Sequence, residues 1–359
     1  MAAGWAAGAH RTARGPCTGV YAQVMASVTG PRRVVAPRRL GSPLSRPGRR
    51  AADRPSVVVL GDLLLDAVLV PDRAMERGTD VPGRVLLRQG GSAASTARWL
   101  GRLGATSTFI CSIGRDAVGR ALVRAVEADG VKVHAVRVAG ARTGRIGVLV
   151  EPGGERSFVA DRSAAHLMRP EDLRASWFSG ADAYHLPAYS LLGHPLGDAG
   201  MAGIAHARAA GALLTLDLAS SAPLLESGRR AALALVREAA PDLLFATYDE
   251  AEALLGVRRP LDGLLDLAPI AVVKRGRKGA TLLALDGADL LRFEVATTPL
   301  AVTDTTGAGD AFDAGFLSGW LTGRRRGQSL AAALQRGAVA GNRAAGRHLS
   351  SPPAELELG

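Results

Sequence analysis

From Val57 onward, two hydrophobic rhythms divide the chain. The first is a series of short apolar blocks: Val57-Val58-Val59-Leu60, Thr106 to Cys111, Asp182 to Leu186, Leu213 to Leu218 and Leu243 to Ala246. Stretches with helical spacing separate them, beginning after Gly90-Gly91, after Asp116, near Asp198 and near Arg229, and a last one runs from Ser329 to about Ala345. Strands alternating with helices of this length imply parallel βαβ units and a doubly wound sheet. The second rhythm has a shorter period. Residues 67–88 carry apolar pairs punctuated by Pro71, Gly78, Pro82 and Gly83, which leaves no room for a helix. Residues 131–160 alternate (Val131/Val133, Ile146/Val148/Val150, Phe158-Val159) around a Pro152-Gly153-Gly154 turn. Alternation with turn signals reads as antiparallel strands with one wet face, so the two stretches are expected to form one small sheet projecting from the main domain.

Candidate chemistry gathers at the ends of these elements. In Asp304-Thr305-Thr306-Gly307-Ala308-Gly309-Asp310, turn formers and two glycines lead into a helix carrying Phe312, Phe316, Leu317, Trp320 and Leu321. A helix N-terminus exposes unpaired N–H groups and a partial positive charge, and glycines there let an anion approach the backbone. Asp310, at the lip of such an anion hole, is placed to take a proton from a hydroxyl attacking a bound phosphate. On spacing alone, the same residues also describe an ordinary loop-to-helix junction capped by Asp310. Asp62 and Asp66 follow the first strand, where the ligand crevice of an α/β sheet lies. A carboxylate there suits sugar hydroxyls because it accepts two hydrogen bonds at once; a solvated pair of turn residues fits equally well. Gly90-Gly91, ahead of a helix of small residues, allow close approach of a ligand or of neighbouring backbone. Thr247 with Glu250 makes a capping box that needs no further role. His185 and Asp217 fall at expected strand ends and, without a visible partner, receive no functional assignment.

The order of these segments resembles the ribokinase-like (PfkB) carbohydrate kinase family. Asp304 to Asp310 is similar to that family's C-terminal signature D-T-x-G-A-G-D, with every position filled. Gly90, Gly91 and Ala97 match G-G-x-x-x-N-x-A, with Ser95 in place of the Asn. Gly61-Asp62 and Asp66 match the opening G-D-x-x-x-D, Gly114-Arg115-Asp116 and Gly119 match G-x-D-x-x-G, and Glu250 matches N-x-x-E with Thr247 at the Asn position. Ile270 to Ala280 resembles the strand-turn-strand beside the nucleotide.

The resemblance spans residues 56–350 and implies a ribokinase-like α/β fold: a doubly wound, mostly parallel sheet flanked by helices. A small β-sheet lid from about 67–88 and 131–160 would close over the sugar and exclude water. The implied reaction moves the γ-phosphate of ATP to a hydroxyl of a sugar or sugar derivative, with Asp310 as base and the N–H groups of Gly307, Ala308 and Gly309 on the transferring phosphate. By the same resemblance Asp62, Asp66, Gly90, Gly91 and Ser95 bind the sugar. Thr247, Lys274, Gly276, Gly279 and Asn342 lie at ATP, and Glu250 orders the waters around Mg²⁺. Asp304 and Thr306 stand where family members give oxygens to a monovalent cation, which implies activation by K⁺. Pairing of two copies through the lid is a further implication. Ser95 and Thr247 depart from the pattern, since a hydroxyl cannot donate and accept through separate atoms as an amide does. They leave open a nucleoside kinase of the same fold and a catalytically weak sugar-binding regulator.

Composition then changes the picture in one place. At 359 residues and 47% hydrophobic content, the chain can build one large α/β domain. Its formal charge of +11 suggests a nucleic-acid partner until the charge is located. Residues 1–54 hold ten Arg, no Lys and one acid, Asp53, so they carry +9 and leave +2 for the rest; a nucleic-acid-binding domain is not expected. This Arg-rich extension lacks apolar periodicity and is expected to be disordered. It reads as an organellar transit peptide, a nucleic-acid arm, or upstream sequence translated from an early start codon. The last is favoured by three Lys against 41 Arg, which with abundant Ala and Gly marks GC-rich coding sequence with long open upstream frames. No apolar run reaches about 18 residues, so no membrane span is expected. Cys17 and Cys111 are too few for a disulfide framework or a zinc site, and a reducing, cytoplasmic setting is expected. Residues 351–359 read as a short loose tail.

Overall fold

The computed structural model describes residues 54–357, apart from 152, 258–259, 303 and 352–353. The Arg-rich extension, up to Asp53, lies outside the described residues. The chain opens with β1 (Ser56–Leu60), leaves the main body through β2 (Leu64–Pro71) and β3 (Gly83–Gly90), and returns by α1 (Ser92–Arg102), β4 (Thr106–Gly114), α2 (Ala117–Glu127) and β5 (Lys132–Val138). A second excursion, β6 (Arg145–Val150) and β7 (Arg156–Asp161), precedes β8 (Ala183–Pro187), α3 (Leu196–Ala209), β9 (Leu213–Asp217), α4 (Ser221–Leu225), α5 (Arg229–Ala239), β10 (Leu243–Thr247) and α6 (Tyr248–Leu255). The last part holds β11 (Ile270–Lys274), the hairpin β12 (Ala280–Asp286) and β13 (Asp289–Val295), and the long helices α7 (Ala308–Arg325) and α8 (Leu330–Leu349).

Among the described residues the strands form two sheets, one ordered β13-β12-β11-β10-β9-β8-β1-β4-β5 and a smaller one ordered β3-β2-β6-β7. From β5 across to β11 every pairing of the large sheet is parallel, and only β12 runs the other way, antiparallel to both β11 and β13. The expected doubly wound sheet is therefore present. The apolar blocks are continuous because their strands are covered on both faces. Val57 and Val59 pack into the core on one side of the sheet, and Val58 and Leu60 into the core on the other.

The expectation for residues 131–160 is corrected at its start. β5 pairs in parallel with β4, at the edge of the large sheet, and only β6 and β7 of that stretch join the small one. An edge strand whose two faces are only partly covered can carry the same alternating sequence as a hairpin strand, so the pattern alone does not separate them. The small sheet is also not purely antiparallel, since β2 and β6 run parallel. Its register puts Asp66 opposite Arg88, and Val150 opposite Arg156, so these polar residues share a face with the buried Val68 and Val148. Asp66 thus stands on a strand of the small sheet rather than on the loop after β1.

Two further contacts bring the chain's end to the site. Gly315 and Gly319 of α7 face Gly341 and Gly337 of α8 so closely that an added Cβ would come within 2.9 and 3.1 Å of the opposing Cα atoms. Such a seam of small residues lets the backbones approach, and the last turn of α8 comes to lie beside the first turn of α7. The expected loose tail is tied down at Leu356, whose N–H donates to the Leu87 carbonyl at 2.7 Å and whose side chain packs on the core. Among the described residues no helix is long and apolar enough to cross a membrane.

Candidate active site

Gly307 caps α7 with φ 78° and ψ −2°, a conformation that strains any residue bearing a Cβ. The N–H of Ala308 turns back to the Thr305 carbonyl at 3.1 Å, whereas those of Gly309 and Asp310 have no acceptor within the first turn. Behind Gly309, Lys274 Nζ lies 3.4 Å from the place a Cβ would take. The positive end of an 18-residue helix therefore lies at this short piece of backbone, which is suited to an anion, with the Lys274 ammonium behind it held by Asp217 and Asp313.

Asp310 stands in that first turn. The residue is half-buried, but its carboxyl lies deep enough that desolvation pushes its pKa up to about 7. A hydrogen bond from Ser92 and the charge of Lys274 pull the other way, while Asp217 and Glu250 add repulsion. A carboxyl poised near neutrality is matched to proton transfer at physiological pH.

Three consecutive residues gather three acids around this point. A Cβ on Gly90 would fall 2.0 Å from Asp66 Oδ1, one on Gly91 would fall 2.2 Å from the Asp62 carbonyl, and Ser92 Oγ donates to Asp310 Oδ1 at 2.6 Å. Gly90 is thus explained by the Asp66 carboxyl packed against it, and Gly91 by the Asp62 backbone carbonyl and its own φ of 101°. Asp62 is buried and ion-paired with Arg162, whose guanidinium lies over the Tyr189 ring at 4.4 Å. Burial raises the Asp62 carboxyl above its ordinary range against the pull of Arg162, and pushes Asp66 up to about 6 against the pull of Arg88. Oδ1 of each is buried without a hydrogen-bond partner. Open acceptors of this kind are costly unless something fills them, and ligand hydroxyls suit them. Ser95 lies half-buried one turn further along α1.

On the other side of Asp310, Lys274 closes β11. Its Nζ donates to Asp217 Oδ1 and Asp313 Oδ2, each at 3.0 Å, and its side chain is 10% exposed. Burial works against its charge, but the two carboxylates hold its pKa well above the ordinary lysine value. The ammonium therefore sits inside the protein behind Gly309, not on the β11–β12 turn that carries Gly276 and Gly279. Thr247 and Glu250 form the expected capping box: Thr247 Oγ1 accepts from the Glu250 N–H at 3.2 Å and Glu250 Oε2 from the Thr247 N–H at 2.8 Å. Burial, and then the charge of Asp217, raise the Glu250 pKa. Asn342 donates to the carbonyls of Val295 and Ala296 at 3.3 and 3.1 Å. It lines a cleft of about 460 Å³ with Ala296, Thr298, Leu300, Val339 and Arg343.

Asp304 and Thr306 connect the anion-binding loop to the small sheet. Asp304 Oδ1 accepts from the Thr306 N–H at 2.9 Å and from Arg156 Nη2 at 2.6 Å, and Arg156 Nη1 also donates to Thr306 Oγ1. Arg88 Nη1 lies 3.7 Å from Asp304 Oδ2, and His348 Nε2 lies 2.6 Å from the Thr306 carbonyl.

Residues 54–356 match the sequence model of the family described as pfkB family carbohydrate kinase. The chain belongs to this family. It is a carbohydrate kinase, and kinases of this family use ATP and Mg²⁺. Fructokinase-1 of Zea mays is 30% identical over 273 residues, 73% of this chain and 82% of the relative; fructokinase of Solanum tuberosum is 29% identical over 262 residues, 71% and 78%. Among solved structures, adenosine kinase from Sinorhizobium meliloti has a TM-score of 0.71 at 24% identity, covering 84% of this chain and 97% of its own. A chain from E. coli solved in complex with ATP and Mg²⁺ has a TM-score of 0.65 at 21% identity, covering 80% and 92%. These two likenesses concern the fold.

Of the residues named from sequence, Asp62, Asp66, Gly90, Gly91 and Asp310 are linked by the contacts described, as are Lys274 and Gly309. Gly276, Gly279 and Asn342 border the β11–β12 turn and the cleft beyond β13. Sequence reasoning missed Ser92, Arg162, Asp217, Asp313, Arg156 and His348 as partners of the site. Asp313 did carry a signal: it is an acid on the fully buried face of α7, three residues after Asp310. Asp116, by contrast, is structural, accepting from the N–H groups of Gly119 and Thr143 at 2.8 and 2.7 Å.

Proposed function

We propose that the chain phosphorylates a hydroxyl of a hexose, with Asp310 as the base. The observation that supports this best is the meeting of Gly90, Gly91 and Ser92 with Asp66, Asp62 and Asp310. Two acids, each with a buried open oxygen suited to sugar hydroxyls, border a carboxyl poised near neutrality at a helix end suited to anions. In this reading Asp62 and Asp66 hold acceptor hydroxyls, with Ser95 at the edge of that socket. The attacking hydroxyl gives its proton to Asp310, and the N–H groups of Gly307 and Gly309, with that of Ala308 once it leaves the Thr305 carbonyl, share the charge developing on the transferred phosphoryl group. Lys274 adds a fixed positive charge behind Gly309. The small sheet acts as a lid that keeps water from competing as acceptor. ATP would lie along Thr247, Gly276 and Gly279 with its base in the cleft beside Asn342.

Among the described residues no three His, Cys, Asp or Glu side chains are grouped so as to hold a metal ion directly. Mg²⁺ keeps several waters and binds largely through substrate phosphates, so a single carboxylate suffices. Glu250, in an acidic neighbourhood with Asp217 and Asp310, fits that requirement. When bound, the ion supplies neutralisation of the triphosphate charge.

Relatives named fructokinases make fructose the first acceptor to test. The test is ATP consumption over hexoses, sugar phosphates, sugar acids and nucleosides. A hexose as the best acceptor is the expected result. A nucleoside as best acceptor would replace this reading, and ATP bound but consumed with none of them would overturn it in favour of a sugar-binding regulator. We place the reaction in the cytoplasm, where thiols such as that of the buried Cys111 stay reduced. We also propose a dimer through the lid, whose Leu69, Val85 and Val159 are 38%, 66% and 78% exposed on the face away from Asp66. Light scattering that returns a monomer would remove the dimer.

A further inference from the structure

Resting on that reading of the site, we infer that this kinase works without a monovalent cation, because Arg156 of the lid and His348 of α8 already hold the oxygens such an ion would take. A cation beside the anion hole would neutralise Asp304 and fix the oxygens of the loop that runs into Gly307. To do so it needs oxygens with free lone pairs, gathered to replace its hydration shell. Here those oxygens have donors. Arg156 spans Asp304 Oδ1 and Thr306 Oγ1 with its two Nη groups, the two-pronged contact for which a guanidinium is shaped. The Thr306 carbonyl receives His348 Nε2 at 2.6 Å, and since a carbonyl only accepts, Nε2 carries the proton. Trp99 holds that ring edge-on, with centroids 5.9 Å apart.

Charge argues in the same direction. Arg156 and Arg88 supply two positive charges against the two negative ones of Asp304 and of Asp66, on which Arg88 also acts. An added cation would enter a pocket whose acids already have their counter-charges. The arrangement also gives the lid a part in ordering the loop. Arg156 lies in β7, 148 residues from Asp304, so the bridge exists only while the small sheet lies over the site. A K⁺ ion taken from solution carries no such information. Arg156 is thus a positioning residue: it touches neither reacting atom but fixes the loop that ends in the anion hole.

The test compares KCl with choline chloride at equal ionic strength on the full chain, reading the thermal midpoint without substrates and the turnover with ATP, Mg²⁺ and acceptor. For the native chain the midpoint should be the same in both salts and the turnover should agree within about twofold, because a site already filled gains nothing from added ligand. Arg156→Ala should lose about tenfold or more of its turnover in choline chloride, as a loop displaced by a fraction of an ångström does. K⁺ should restore part of that loss and raise the midpoint of this variant alone. Arg156→Lys, which keeps a positive charge there, should remain indifferent to K⁺. A native chain that gains several-fold turnover or a higher midpoint from K⁺ overturns the inference, and so does an Arg156→Ala variant whose turnover and midpoint match the native chain in both salts. The midpoint needs no reaction, so it decides the cation question even if no hexose is phosphorylated.

Discussion

Ser92 donates from its hydroxyl to Asp310 Oδ1 at 2.6 Å, across 218 positions of sequence. A hydrogen bond to a carboxylate favours the charged form, so Ser92 keeps the proposed base more acidic than burial alone would. Catalysis needs the carboxylate, and with the pKa pushed up to about 7, kcat/KM is expected to fall as pH drops through that value. Ser92→Ala should move this acid limb upward by about one pH unit, while kcat well above it stays within about threefold. The check is kcat/KM against pH for both proteins; superimposable profiles would mean that the hydroxyl does not tune the base.

Asp310→Asn should separate rate from stability. Loss of the base is expected to lower turnover by about 10²- to 10⁴-fold with ATP binding kept. Stability should move the other way at high pH. The folded pKa lies above the ordinary 3.8, so the native state holds this proton more tightly than the unfolded chain does. The stability contributed by protonation is full below the unfolded value and is lost as pH rises through the folded one. The difference between 3.8 and about 7 corresponds to about 4 kcal/mol at most, and less to the extent that cleft water reaches the half-buried residue. An asparagine, neutral throughout, should therefore raise the thermal midpoint near pH 8 and leave it unchanged near pH 4. Equal shifts at both would contradict the assigned burial.

Lys274 makes a sharper stability case, because its partners are buried with it. Lys274→Met leaves Asp217 and Asp313 facing each other with no cation between them, and removing one member of such a group costs about 3–5 kcal/mol. Adding Asp217→Asn and Asp313→Asn to that change should recover most of the loss, since no uncompensated charge remains. Turnover of the triple variant should nevertheless stay low, because the positive charge behind Gly309 is gone. Denaturant midpoints of the single and triple variants decide this, and a triple variant no more stable than the single one would refute the charge argument.

The site was legible in sequence where function constrains neighbours along the chain. Gly307 to Asp310 announced a helix start, but spacing alone fitted an ordinary capped junction as well and only the family resemblance pointed to an anion, and Gly90-Gly91 announced a close approach without saying what approached. The central strands were legible because burial on both faces leaves no polar position in Val57 to Leu60. What escaped depended on distant parts of the chain. Lys274 reads from sequence as a residue at ATP, and its buried partners escape because Asp217 and Asp313 lie 57 and 39 positions away. Ser92 looked like a helix-start residue, and nothing near it mentions Asp310. β5 is assigned to the wrong sheet because its alternating valines resemble a hairpin strand, although in the structure both of its faces are partly covered. His185 could be left unassigned safely: burial pushes its pKa down to about 4, and its Nδ1 lies 3.0 Å from Thr215 Oγ1, a satisfied neutral side chain.

Gly90→Ala tests whether the glycine pair serves the acceptor or the nucleotide. The new methyl would lie 2.0 Å from Asp66 Oδ1 and 2.6 Å from Oδ2, closer than a carbon approaches an oxygen to which it is not bonded, so the Asp66 carboxylate has to move. The change is confined to the lid side of the site, since Gly90 ends β3 and touches nothing of the β11–β12 turn. The acceptor KM should therefore rise by about tenfold or more, on the scale of displacing one charged hydrogen-bond acceptor, while the KM for ATP stays within about twofold. Asp66→Ala should reproduce the same split, and adding Gly90→Ala to it should do little more, because the clash disappears with the carboxylate. If Gly90→Ala instead raised the ATP KM, or if the two changes were additive, Asp66 would not be the group for which Gly90 makes room.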